Sequence, residues 1–317
     1  MSNKRNNFWL SRLDYLFLLR PMLFFPGWST LLAGYYIEYK SEWVPIIGVK
    51  TVPLPDFLLF AGFALIMGSS FVLNQLQDIA SDKKNRKLFI ISDGILSVGA
   101  AKYEVIGLTL ISFFIAFWIK MEVGIFFVVF FIITGILYNY PPARLKDRPW
   151  GSLLANMLMG WLAFGIGWIS INPLTHHLLL DSLPYIFYNT ALYLFTTLPD
   201  REGDQQSGKK TLAVVWGLKK IIQIAFYIYI VGFALCFYMM DLQAFVFYIF
   251  TLPWFIKTML KGRITETNQT TKYGILFFAL SVCLRWPAYF LIMVVGFYGT
   301  KFYYKKRFNF DYPNFSG

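Results

Sequence analysis

The chain is poor in charge, in cysteine and in histidine. Charged residues make up only 15% of its 317 positions, whereas a typical soluble domain carries about a quarter. That shortage excludes the pair of soluble domains its length would otherwise suggest. Its two cysteines, Cys236 and Cys283, both fall inside apolar stretches, so neither a disulfide framework nor a metal knuckle is indicated. Its two histidines, His176 and His177, are neighbours in a predicted loop far from any acidic cluster, where a solvated polar loop accounts for them. No small-x-small cleavage signal follows the basic N-terminus with Lys4, Arg5 and Arg12. The apolar run behind it therefore reads as a retained first span.

What the chain has instead is apolar length. Apolar residues make up 57% and aromatic residues 20%, in runs that reach the roughly 20 residues a bilayer crossing needs. Lipid offers the backbone no partners, so each such run must be a helix. The expectation is an all-α membrane protein of nine transmembrane helices, near 15–37, 57–77, 103–119, 122–140, 151–171, 183–199, 221–240, 242–260 and 273–299. It forms a single polytopic domain over 1–317, with 1–14 a cytoplasmic N-terminal segment and 301–317 a basic aromatic tail. The stretch from 38 to 56, with Pro45, Pro53 and Pro55, reads as an outer loop. Arg285 falls in the middle of the last span beside Trp286-Pro287. A charge there is costly unless it faces the bundle or water, so it either pairs internally or marks a misplaced boundary.

The net charge is +12, but the cations lie between the spans. Topology and anionic lipid headgroups explain them, and nucleic-acid binding is not indicated. Lysines and arginines crowd the N-terminus and four alternate loops, while Lys40, Lys50 and Lys120 alone occupy the opposite loops. The positive-inside rule puts the crowded side in the cytoplasm of a cytoplasmic (inner) membrane. One feature disagrees: nine spans leave the tail outside, although it carries Lys301, Lys305, Lys306 and Arg307.

The few acids are arranged, not scattered. Asn74, Asp78 and Asp82 recur every four residues at the end of the second span, hence on one helical face. Two carboxylates at i and i+4 repel each other, which calls for a cation. Asp200 and Asp204 form a second such pair at the end of the sixth span, each 122 residues after its counterpart. That regularity suggests two four-helix halves plus one further helix. Hard oxygen ligands of this kind suit Mg²⁺, which takes one or two carboxylates and fills its other sites with water and phosphate oxygens. The plain alternative is helix-end acids capped by Lys83-Lys84 and Lys209-Lys210. The loop Tyr138-Asn-Tyr140-Pro-Pro-Ala-Arg144-Leu-Lys146-Asp147-Arg148 is either a cationic clamp on phosphate or ordinary cytoplasmic charge. Arg20, beside Pro21, either snorkels to the headgroups or points at the same anion.

With these motifs together, the chain resembles the UbiA superfamily of membrane prenyltransferases, from Arg20 to about Gly217. Asn74, Asp78 and Asp82 match its first acidic motif. Leu198-Pro-Asp200-Arg-Glu-Gly-Asp204 through Lys210-Thr211 to Gly217 matches the second, and Tyr138 through Lys146 the middle loop as it stands in the chlorophyll-synthase-like and carotenoid-elongating branches. Gln75 stands where the family usually has an Asp, and Leu88-Phe89-Ile90 replaces its Arg-Pro, with Lys87 nearby as a substitute charge. The resemblance implies a helical bundle around a central cavity open to the cytoplasm and the lipid. It implies Mg²⁺-dependent transfer of an isoprenyl group from a prenyl diphosphate to a hydrophobic or aromatic acceptor in the membrane. Asp78, Asp82, Asp200 and Asp204 would be catalytic and, with Asn74, metal-holding. Arg20, Asn74, Tyr138, Arg144, Lys146 and Lys210 would bind the diphosphate, and Tyr138, Tyr140 and Tyr193 would face the allylic cation. Two other readings compete: a cation-coupled transporter, and an inactive homologue that binds lipid.

Overall fold

The computed structural model describes residues 8–42, 54–85, 89–206 and 208–313. Lys87, the outer-loop prolines Pro45 and Pro53, and the ends of the predicted N-terminal and C-terminal segments lie outside them. Among the described residues the chain is helical, with no strand. Six helical segments among the described residues are long and apolar enough to cross a membrane, namely Trp9–Tyr35, Asp56–Ala80, Val98–Ile119, Pro149–Ile171, Leu212–Tyr238 and Leu242–Lys261. The helices fall into two compact units, and each draws on separate parts of the chain.

The first unit contains α1 (Phe8–Leu18), α3 (Leu54–Asn85), α4 (Phe89–Ser92), α5 (Val98–Ile119), α6 (Met121–Phe131) and, from Leu291 onward, α13 (Ala288–Phe308). Helix α3 packs along α5 and α6. Small hydroxyls stitch it in place: Ser69 shares a hydrogen bond with Thr109 at 2.7 Å and Ser70 with Thr134 at 2.7 Å. Such bonds suit an apolar bundle, where an unpaired hydroxyl would have no water to turn to. The chain does not end α6 cleanly but widens into a π turn, Ile132–Leu137.

The second unit contains most of α2 (Phe24–Tyr35), with α7 (Pro149–Ile171), α8 (His177–Thr196), α9 (Arg201–Gln206), α10 (Leu212–Tyr238), α11 (Leu242–Lys261) and α12 (Ile264–Cys283). Two glycines let α2 and α7 touch backbone to backbone. A Cβ at Gly34 would lie 2.0 Å from the Phe164 carbonyl oxygen, and one at Gly167 would lie 1.9 Å from that of Leu31. Around Tyr188, the rings of Phe247, Tyr248 and Phe278 sit at 4.5, 5.0 and 5.9 Å, each edge-on, the arrangement ring quadrupoles favour.

Three predicted spans need correction. The first, 15–37, is interrupted at Arg20, whose backbone is left-handed (φ 57°), followed by a short 3₁₀ turn over Pro21–Leu23. Pro21 disfavours a helical residue before it. The sixth lies further toward the N-terminus than 183–199, because Pro199 and its preceding residue cannot continue a helix that stops at Thr196. The ninth, 273–299, is two helices, α12 and α13, broken between Cys283 and Ala288. Pro287 accounts for the break. Arg285, only 7% exposed, caps it by donating to the backbone carbonyls of Tyr39 and of Glu42, the latter at 2.7 Å. Arg285 thus sits at a break between two helices and pairs internally with backbone carbonyls. The simple division into two four-helix halves is replaced by two units between which the chain passes near Phe24, Tyr140 and Phe290.

Candidate active site

In the first unit α3 continues two turns past its predicted end, so Asn74, Asp78 and Asp82 do share one uninterrupted helix. Asp82 is buried, at 8% exposure. Asn74 is oriented by a neighbour that sequence reasoning passed over. Asn139 is fully buried behind the π turn and donates to the carbonyls of Thr134 at 2.9 Å and Gly135 at 3.0 Å. Its amide oxygen must then accept, and it accepts from Asn74 Nδ2 at 2.7 Å. Asn74 consequently presents its own carbonyl oxygen away from Asn139. The signal for Asn139 lay between Tyr138 and Tyr140, but its role depends on a π turn that no periodicity announces.

Gln75 is a different matter. It is 2% exposed and donates to the carbonyls of Leu18 at 2.9 Å and Phe71 at 3.2 Å. Instead of standing as a neutral ligand beside Asp78, it fastens the last residue of α1 to α3. That fixes where the chain turns at Arg20, and Arg20 lies within electrostatic reach of Asp82.

In the second unit Asp200 precedes α9, and the backbone bond from Asp204 N to Asp200 O at 2.9 Å keeps the pair one helical turn apart. Asp200 is exposed, and Asp204 is partly buried. Burial pushes the Asp204 carboxyl above its ordinary range, against the opposing pull of Lys209. A cation beside Asp204 is Lys209: its Nζ lies 3.7 Å from Asp204 and 3.9 Å from Asp147, while Lys210, predicted to bind the diphosphate, is exposed. Asp147 also draws Arg144 into an ion pair at 2.7 Å, and Arg144 has left-handed backbone (φ 35°). The basic loop is therefore tied to the second acidic segment through Asp147 and Lys209, two residues absent from the predicted site. Lys146 and Tyr138 are half-buried.

Among the described residues no three His, Cys, Asp or Glu side chains gather closely enough to hold a metal unaided. The available donors are an amide oxygen and pairs of carboxylates, all hard oxygens. This set fits Mg²⁺ whose remaining positions are filled by water and phosphate.

The sequence profile of the UbiA prenyltransferase family matches residues 28–279. The chain belongs to that family. Among its relatives are a homogentisate phytyltransferase of Synechocystis, 27% identical over 53% of this chain and 58% of that one. Another is a digeranylgeranylglyceryl phosphate synthase of Sulfurisphaera tokodaii, 26% identical over 60% of this chain and 65% of that one. The chain thus spans somewhat under two thirds of the length of these two relatives. Its fold resembles a UbiA homologue from Archaeoglobus fulgidus solved with DMAPP and Mg²⁺, with a TM-score of 0.62 at 20% identity over 85% of this UbiA-family chain and 99% of that one. It also resembles a UbiA homologue from Aeropyrum pernix, with a TM-score of 0.64 at 13% identity over 84% and 98%.

Proposed function

We propose that the protein transfers an isoprenyl group from a prenyl diphosphate to a hydrophobic or aromatic acceptor dissolved in the membrane. The observation that carries this reading is the orientation of Asn74, whose carbonyl oxygen is turned outward by Asn139 on the helix that also bears Asp78 and Asp82. Three hard oxygen donors at successive four-residue steps suit a cation that bridges to phosphate. Bound Mg²⁺ would neutralise the diphosphate and make it a better leaving group. Asn74, Asp78 and Asp82 would hold it in the first unit, Asp200 and Asp204 in the second. Arg20, Arg144, Lys146, Lys209 and Lys210 would steady the departing charge, and ring faces such as that of Tyr138 would stabilise the allylic cation.

The reading includes a path through the membrane. With the predicted ninth span resolved into α12 and α13, the chain would cross ten times, and both termini would be cytoplasmic. Two contacts support this. Arg307, near the end of α13, forms a two-pronged ion pair with Asp14 of α1 at 2.8 and 3.1 Å. Arg285, between the two helices, binds Tyr39 and Glu42 at the start of the expected outer loop. A cytoplasmic tail also removes the conflict between Lys301, Lys305, Lys306, Arg307 and the positive-inside rule.

The test is purified protein in detergent with Mg²⁺, radiolabelled prenyl diphosphates and a membrane lipid extract. A labelled lipid is expected, along with its loss in Asp78→Ala and in Asp200→Ala by a factor of at least about 100, as removal of transition-state charge stabilisation predicts. Absence of both label transfer and diphosphate release in the unmodified protein would overturn the assignment.

A further inference from the structure

Asp147 is the only acidic residue between Glu122 and Asp181, and it stands among the cations of the middle loop. A short 3₁₀ turn, Leu145–Asp147, follows the left-handed Arg144 and is closed by Asp147 N donating to Arg144 O at 3.1 Å. Three residues per turn bring side chains three apart into line, which sets Arg144 Nε 2.7 Å from Asp147 Oδ2. Arg148 braces the loop by donating to the Pro142 carbonyl at 2.7 Å. The other carboxylate oxygen of Asp147, Oδ1, faces Lys209 Nζ at 3.9 Å. Lys209 is delivered by the end of α9. Gly208 has left-handed backbone (φ 74°), its N donates to Gln205 O at 3.2 Å, and Lys209 N donates to Asp204 O at 2.9 Å. This glycine-ended helix stop turns Lys209 back toward Asp204, whose Oδ1 is 3.7 Å from Nζ. The result is a chain of alternating charge, Arg144, Asp147, Lys209, Asp204.

We propose that Asp147 is a positioning residue that acts as an internal counterion: it holds Arg144 and Lys209 together while no diphosphate is bound and yields them to the diphosphate that enters. The inference rests on the transferase reading above. Lys209 is shared between two carboxylates at distances longer than a hydrogen bond, and the Asp147 side chain keeps 25% of its surface exposed. Ion pairs this wet are worth little, so releasing them costs little. A diphosphate carries more charge than one carboxylate and has oxygens for both the arginine fork and the lysine point charge. Asp147 opposes the same anion, by like charge and by competing for both cations. It therefore gives up some affinity for the diphosphate, and the diphosphate product leaves the more readily for it.

The test is a titration of full-length protein in detergent with Mg²⁺-pyrophosphate, read as thermal stabilisation, for the unmodified protein, Asp147→Asn and Asp147→Ala. Asp147 is on a partly exposed loop, so the melting temperature without ligand is expected to stay within a few degrees. Both variants are expected to bind pyrophosphate about 3- to 5-fold more tightly, the scale of a partly exposed ion pair, and the gain should shrink at high salt. In a Lys209→Gln background the gain from Asp147→Asn should be smaller, because one of the two cations it frees is gone. In turnover, KM for the prenyl diphosphate should fall by a similar factor while KM for the acceptor stays unchanged. Unchanged or weaker pyrophosphate affinity in both variants, beside clear binding by the unmodified protein, would overturn the inference and leave the transferase reading standing. An equal gain with and without Lys209 would do the same, since it would reflect net charge alone. No binding by the unmodified protein would overturn both.

Discussion

Gln75 donates both amide hydrogens to backbone carbonyls, and no acidic side chain could replace it there. An ionised Gln75→Asp would put a carboxylate near carbonyl oxygens in a buried place, leaving the carboxylate and the Leu18 carbonyl without this donor, while Phe71 O keeps its helical N–H. The expected outcome is a loss of about 1–3 kcal/mol of stability, with no fall in the Mg²⁺ concentration needed for activity, checked by thermal melts and a Mg²⁺ titration. Asp241 is a residue whose environment works against its own charge. It caps α11 by accepting from Ala244 N at 2.8 Å, but burial raises its carboxyl from an ordinary 3.8 to about 6. Between those values the folded protein holds a proton that the unfolded chain has lost. This contribution to stability therefore falls as pH rises from about 4 to 6 and stays low above it. Asp241→Asn keeps an oxygen for the cap and removes the titration. Its melting temperature in detergent should exceed that of the unmodified protein at pH 7 and converge with it toward pH 4.

Among the elements, α2 and α7 show how little side chain a membrane-type contact can carry. Where Gly34 and Gly167 stand, a Cβ would collide with the opposite backbone. A larger side chain must push the helices apart and forfeit the close packing that holds them where lipid supplies no hydrophobic drive. Gly167→Val is expected to cost about 1–3 kcal/mol or more and to lower the detergent melting temperature without altering which product forms. The helix breaks belong to the same scale. Apolar runs and prolines in the sequence located most of the helices, and Pro21, Pro199 and Pro287 mark the places where prediction and structure part. At Pro21 and Pro287 a run of apolar residues continued past the proline, and at Pro199 the predicted span ran up to it; hydropathy does not register a missing N–H. The π turn at Ile132–Leu137 had no such marker. With it went the chance of seeing that buried Asn139 would orient Asn74.

At the scale of the whole molecule, the proposed ten-crossing path would put the two termini on the same side of the membrane. In a chain with Cys236→Ser and Cys283→Ser, single cysteines introduced as Ser2→Cys and Asn309→Cys should both react with an impermeant thiol reagent from the same side of sealed vesicles. Reaction from opposite sides would restore the nine-span path. The sequence by itself determined the helical membrane class, the family and the two acidic segments. Composition, apolar length and i,i+4 spacing are local properties that survive without coordinates. Which cation answers which acid was decided only by the tertiary structure. Lys209 and Lys210 are equivalent in sequence, but only the first turns to Asp204 and Asp147. Arg285 stood in the middle of a predicted span, and only the helix break beside it explains how carbonyls of a distant segment come within its reach. Long cationic side chains are directed by partners far away in the chain, and no local pattern encodes those partners.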